Sequence, residues 1–160
     1  KKQLPPEISD EDHCQHMQLF DDFKLLEVWR NNLKGIRWED AEGNVFCGAV
    51  DNILVHKDKL VVLDYKTRGY PTKEDTADSY QNQLDAYNFL LRKNGHTTED
   101  YGFLLFYVPK EVTETGEVVF TTELIKRPIN PKNAEQLFQK ALRILEEDCP
   151  QATCKWCEKV

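Results

Sequence analysis

The sequence predicts an α/β fold of the α+β kind, a central mixed sheet flanked by helices. Three observations carry this expectation. Segments with helical spacing of apolar residues alternate with β-branched and aromatic runs, in the order helix, three strands, helix, two strands, helix. The run Leu60-Val61-Val62-Leu63 is continuously apolar, as in a strand covered on both faces. The length of 160 residues is enough for one domain with a real core, and 1–160 reads as a single domain with a cysteine-containing tail over 149–160.

Taken in order, Lys1–Asp12 is polar and reads as a loop. From Met17 to Leu33, apolar residues at Leu19, Phe20, Phe23 and Leu26, flanked by Leu25, Val28 and Trp29, predict a helix that stops before Gly35. Ile36–Glu39 begins a strand, and Ala41-Glu42-Gly43-Asn44 is a turn. Two β-rich segments follow, Val45–Val55 and Leu60–Thr67, joined by the charged turn His56-Lys57-Asp58-Lys59. Gly69-Tyr70-Pro71 breaks the second strand. A helix over Ser79–Lys93 ends at Asn94-Gly95, with Tyr80, Leu84, Tyr87 and Leu91 as its apolar seam. Gln83 lies four residues before Tyr87 and shares its face. Tyr101–Val108 is an aromatic strand, Gly116 marks a turn, and Val118–Ile125 returns. Asn130-Pro131 supplies an N-cap and a first-turn proline for a helix to about Glu147.

Composition narrows the function. The net charge of -7 argues against a generally basic nucleic-acid binder, yet an acidic metal site would itself contribute negative charge. No apolar run is long enough to span a membrane, and no secretory signal pattern is present. The opening KKQLPPE is polar and reads as a connecting segment, so the chain is expected to be a piece of something longer, truncated at one or both ends. Five cysteines, an odd number with three near the end, point to a reduced, cytoplasmic compartment and to metal before disulfide. Cys47, beside Gly48, reads as a small core residue.

The chemistry concentrates in Gly48–Arg68. Asp51, Asp64 and Lys66 interrupt apolar strands, and charges are seldom buried unless paired or bound. A two-residue turn at Lys57-Asp58 sets Asp51 opposite Asp64. Such cross-strand pairs have Cβ atoms roughly 4.5–5.5 Å apart. Two carboxylates at that separation repel by roughly 3 kcal/mol at an effective dielectric of 20. A divalent cation such as Mg²⁺, which prefers carboxylate and carbonyl oxygens, would relieve the repulsion. Lys66 points to the same face as Asp64, where its ammonium can stabilise a phosphate or position a water. The competing reading is a solvated strand face carrying ordinary surface charges.

These residues resemble the PD-(D/E)XK nuclease superfamily in its RecB-like branch, which includes the CRISPR-associated RecB-like exonucleases. Gly48-Ala49-Val50-Asp51 is similar to that branch's G-x-[VI]-D strand, Asp64-Tyr65-Lys66 to its D-x-K, and Gln83-Leu84-Asp85-Ala86-Tyr87 to its Q-x-x-x-Y helix. The resemblance implies a restriction-endonuclease-like core and a metal-dependent DNA nuclease, expected to be an exonuclease on ends or single strands. It implies that Asp51, Asp64 and the Tyr65 backbone carbonyl ligate Mg²⁺ or Mn²⁺. Lys66 would orient the attacking water, Gln83 would hold Lys66 or the backbone of the substrate, and Tyr87 would contact the strand or brace the site. RecB-like enzymes often add a histidine ligand from a helix ahead of the first motif. His16 is the candidate, with His13 nearby, and both read equally as solvent-facing residues.

Many RecB-like nucleases also close with cysteines that join an N-terminal cysteine around an iron–sulfur cluster. Cys149, Cys154 and Cys157 would supply three thiolates here and Cys14 a fourth, for a [4Fe-4S] cluster or Zn²⁺. Partner proteins of DNA repair, CRISPR adaptation or phage DNA processing all remain open. So do two other functions: a non-catalytic nuclease-fold module that binds nucleic acid or a partner protein, and a small zinc- or cluster-stabilised interaction domain.

Overall fold

Lys57 and Asp58 both adopt left-handed backbone, at φ 46° and 66°. That is the two-residue turn whose twist matches a β-hairpin. It fixes the expected register between the strands on either side, from His56↔Lys59 to Asn52↔Leu63. The computed structural model describes residues 4–148. Its elements are α1 (Pro6–Ser9), β1 (Met17–Leu19), α2 (Phe23–Arg30), β2 (Ile36–Glu39), β3 (Val45–Gly48), β4 (Asn52–His56), β5 (Lys59–Thr67), α3 (Gln81–Lys93), β6 (Tyr101–Val112), β7 (Val118–Pro128) and α4 (Pro131–Glu146). A 3-10 turn over Thr76–Tyr80 leads into α3.

Five strands form one mixed sheet in the order β1-β4-β5-β6-β7. Only the β5–β6 pair is parallel among the described strands, and α3 makes the crossover that a parallel pair requires. Alternation along β5 divides the core. Leu60 and Val62 join Leu26, Trp29, Leu84, Leu90 and Phe106 on the face that α2 and α3 cover. Val61 and Leu63 join Ile8, Cys14, Met17, Phe103 and Leu105 on the other. Asp64 and Lys66 continue the row of Leu60 and Val62, so they point toward α3.

β2 and β3 form a separate two-stranded ribbon. It is clamped to the helices by aromatic rings, with Trp38 5.3 Å from Phe89 and Phe46 5.2 Å from Phe138 between centroids. Asp85, buried in α3, ties down the start of α4. Its carboxylate accepts from Asn130 N at 2.8 Å, Asn133 Nδ2 at 2.7 Å and Gln81 Nε2 at 2.9 Å. Among the described residues no helix is long and apolar enough to cross a membrane.

Five expectations need correction. Lys1–Asp12 is not loop throughout: Pro6–Ser9 forms a short helix that buries Ile8. Met17–Leu33 is not one helix: Met17–Leu19 is an edge strand on β4, and the Asp22 carboxylate accepts from Leu25 N to start α2. Val45–Val55 is not one strand: the chain leaves the ribbon at Gly48 and enters the main sheet at Asn52. Cys47 lies on the exposed face of β3, opposite Arg37, and is not in the core. Asn130 occupies the N-cap position of α4, but its side chain makes no cap bond; the Asp85 carboxylate anchors its backbone instead.

Candidate functional site

The break between β3 and β4 is what presents Asp51. Val50 N donates to the Trp29 carbonyl at 3.1 Å, and Arg30 Nε donates to the Asp51 carbonyl. The ladder ends at Asn52↔Leu63, so Asp51 is the next residue along, across from Asp64. Its exposed carboxylate accepts from Tyr65 N at 2.8 Å. Asp51 is therefore locked to the strand that carries Asp64, Tyr65 and Lys66.

Asp64 is only 1 % exposed. Burial raises its carboxyl above the ordinary aspartate value; Lys66 opposes that shift and Asp51 adds to it. Lys66 Nζ forms an ion pair with Asp64 Oδ2. That same oxygen has no partner of hydrogen-bond geometry. The ammonium thus compensates the charge of that oxygen through a contact that lacks hydrogen-bond geometry.

Lys66 is held from three sides. Besides Asp64, its Nζ donates to Gln83 Oε1 at 2.9 Å and lies 4.7 Å from the Tyr80 ring centroid. Gln83 Nε2 in turn donates to the Tyr87 hydroxyl at 2.7 Å. Tyr87 is buried, and burial raises its phenol above the ordinary value; the Gln83 bond opposes this, while Asp64 and Asp51 add to it. Gly48 makes room for the ring, since a Cβ there would stand 3.0 Å from Tyr87 Cε1. Asp51, Asp64, Lys66, Gln83 and Tyr87, separated in sequence, are thus joined in one continuous chain of contacts.

A family model for the PD-(D/E)XK nuclease superfamily matches residues 11–159. The chain belongs to the PD-(D/E)XK nuclease superfamily. The mixed five-stranded sheet flanked by helices agrees with the restriction-endonuclease-like fold of that superfamily. No curated protein matches the sequence.

PD-(D/E)XK nucleases generally use divalent metals, and the residues present suit such an ion. Among the described residues no group of three or more His, Cys, Asp or Glu side chains gathers. Two carboxylates, one with a buried oxygen that has no hydrogen-bond partner, are a donor set for a hard cation that keeps several waters and takes further oxygens from a phosphate. They do not suit zinc, which favours a closed set of nitrogen and sulfur ligands.

Of the other expected ligands, His16 does not join them, and the four cysteines were expected to form a separate site. His16 precedes Met17, which pairs with His56 at the turn end of β4, away from Asn52 and Asp51. Cys14 is fully buried among Ile8, Met17 and Leu54. Burial pushes its thiol up to about 11. Cys149, Cys154 and Cys157 lie outside the described residues.

Two contributors carry no clear mark in the sequence. Arg30 reaches Asp51 only because α2 packs against β4. Tyr80 reads as one more apolar residue of the α3 seam, yet its ring sits beside Lys66. Its spacing of three residues before Gln83 is the one signal that could have found it.

Proposed function

We propose that the chain is a metal-dependent DNA nuclease of RecB-like type, hydrolysing phosphodiester bonds as an exonuclease on ends or single strands. The observation that carries the reading is the Asp51–Asp64–Lys66–Gln83–Tyr87 contact chain, built on two strands and the helix that follows them. Asp51, Asp64 and the backbone carbonyl of Tyr65 would hold Mg²⁺ or Mn²⁺. Such an ion, when bound, polarises the phosphate and lowers the pKa of a bound water.

The side chains supply the rest. The Lys66 ammonium faces the same space as Asp64 and can donate to a water or to a phosphate oxygen as negative charge builds. Donors fixed in advance at that point need no reorganisation during reaction. Gln83 fixes Lys66 through its carbonyl oxygen, and Tyr87 fixes Gln83 through its hydroxyl. The helix thus positions the ammonium without competing for the phosphate.

The test is Mn²⁺ titration by calorimetry on wild type and Asp64→Ala, with cleavage of single-stranded DNA measured on both. Wild type is expected to bind Mn²⁺ and cleave, and the variant to lose both while retaining its circular-dichroism spectrum. Absence of Mn²⁺ binding in wild type would refute the nuclease reading in favour of a non-catalytic module. Cleavage retained by Asp64→Ala would refute the site.

A further inference from the structure

Beyond Lys66 the chain leaves β5 through Thr67, Arg68, Gly69 and Tyr70. With Tyr80 these residues line a cleft of about 310 Å³, at the lower end of the range for sites that take small ligands. Tyr80 is common to both places: its ring centroid lies 4.7 Å from Lys66 Nζ, and it lines this cleft. The cleft therefore neighbours Lys66, which is paired with Asp64.

Its chemistry is cationic and aromatic. Arg68 lies two residues past Lys66, roughly 7 Å along an extended chain, and its amide is held by the Tyr107 carbonyl at 3.0 Å. Its guanidinium sits 5.5 Å from the Tyr70 ring centroid. Among the described residues no carboxylate pairs with Arg68, although the chain carries a net charge of -7. Tyr70 is 68 % exposed. The guanidinium lies over the ring, and most of the tyrosine's surface is open to solvent.

An arginine with no carboxylate partner among the described residues and an exposed aromatic ring, side by side, match the two halves of a nucleotide. Bases stack on aromatic rings whatever their identity, and phosphates pair with guanidinium. We infer that this cleft receives an unpaired nucleotide of the substrate strand next to the scissile phosphate, its base on Tyr70 and its phosphate facing Arg68. A base inside a duplex is already stacked on its neighbours and cannot make that contact without leaving the helix. The preferred substrate is accordingly a single strand or a frayed end. The inference rests on the nuclease reading for the position of the cut bond.

The test compares wild type, Tyr70→Ala and Tyr70→Phe. Binding of a fluorescein-labelled thymidine oligonucleotide is read by anisotropy with EDTA present, and Mn²⁺-dependent cleavage is read on the same strand and on a blunt duplex. Tyr70→Ala is expected to bind the single strand about tenfold more weakly, with a smaller effect on the duplex, and Tyr70→Phe is expected to restore binding. Tyr70 is an exposed loop residue, so all three proteins should melt at the same temperature. Unchanged binding by Tyr70→Ala while wild type still cleaves would overturn the cleft and leave the nuclease reading intact. Equal losses on single strand and duplex would also overturn it. Tyr70-dependent binding without cleavage in wild type would uphold the cleft's nucleotide-binding role and remove the nuclease reading.

Discussion

Removing the Lys66 ammonium leaves the Asp64 carboxylate buried beside Asp51 with no cation from the protein. Breaking a buried ion pair on one side is strongly destabilising, of the order of 3 kcal/mol. Lys66→Met should therefore melt well below wild type in EDTA, while losing cleavage. Mn²⁺ should recover more stability in Lys66→Met than in wild type, because there it replaces the missing charge as well as binding a preformed site. Scanning calorimetry with and without Mn²⁺ checks both; an equal Mn²⁺ increment in the two proteins would separate Lys66 from the metal's surroundings. The juxtaposition of Asp51, Asp64 and Lys66 was legible in the sequence, because charges inside apolar strands are rare and the turn length sets which of them face each other. The Arg30 and Tyr80 contacts were not, since each depends on how a helix docks.

At the scale of elements, the segment from Gly48 to Asp51 does two things that one strand cannot. It leaves the β2–β3 ribbon, and it delivers a carboxylate to the end of β4. Apolar sequence on both sides hides the break, so the stretch reads as a single strand. Met17–Leu19 is hidden in a similar way, because three residues are too few to separate strand from helix periodicity. The Asp22 cap is the local sign that the helix begins later. Gly48 is also a place where ribbon and α3 come close. In Gly48→Ala the new Cβ meets the Tyr87 ring and Leu90 Cδ1, at 3.0 and 3.2 Å. Both neighbours are buried, so relief requires moving α3 or the ribbon, at about 1–3 kcal/mol. Moving Tyr87 also loosens Gln83 and hence Lys66. Gly48→Ala should lower kcat more than it raises KM, together with a lower melting temperature; the same stability loss with unchanged kcat would mean that Tyr87 does not position Lys66.

The molecule as a whole separates the candidate chemistry from an ion cluster at the opposite end of the β4–β5 hairpin. Asp51 lies beyond Asn52 at one end, and His56 and Lys59 flank the turn at the other. There Glu99 contacts His56 Nδ1 at 2.9 Å and Lys59 Nζ at 3.4 Å, and its backbone amide donates to the Leu60 carbonyl at 3.0 Å. Tyr101 completes the cluster, with its hydroxyl 3.2 Å from His56 Nδ1. This cluster fastens the return from α3 to the start of β5, and so closes the crossover on which the site's geometry depends. Burial pushes the Glu99 carboxyl up, but the His56 hydrogen bond and the Lys59 charge outweigh it and hold the group below the ordinary value of 4.5. A carboxylate depressed by folding contributes stability that is fully present above its unfolded value and is lost as pH falls through the folded one. Wild type should therefore lose stability on acidification below about pH 4.5 more steeply than Glu99→Gln. At neutral pH the two should cleave DNA alike, because Glu99 is remote from Asp51. Urea unfolding at a series of acidic pH values measures the slope. Parallel profiles would show that the cluster contributes nothing to stability, and that backbone pairing alone closes the crossover.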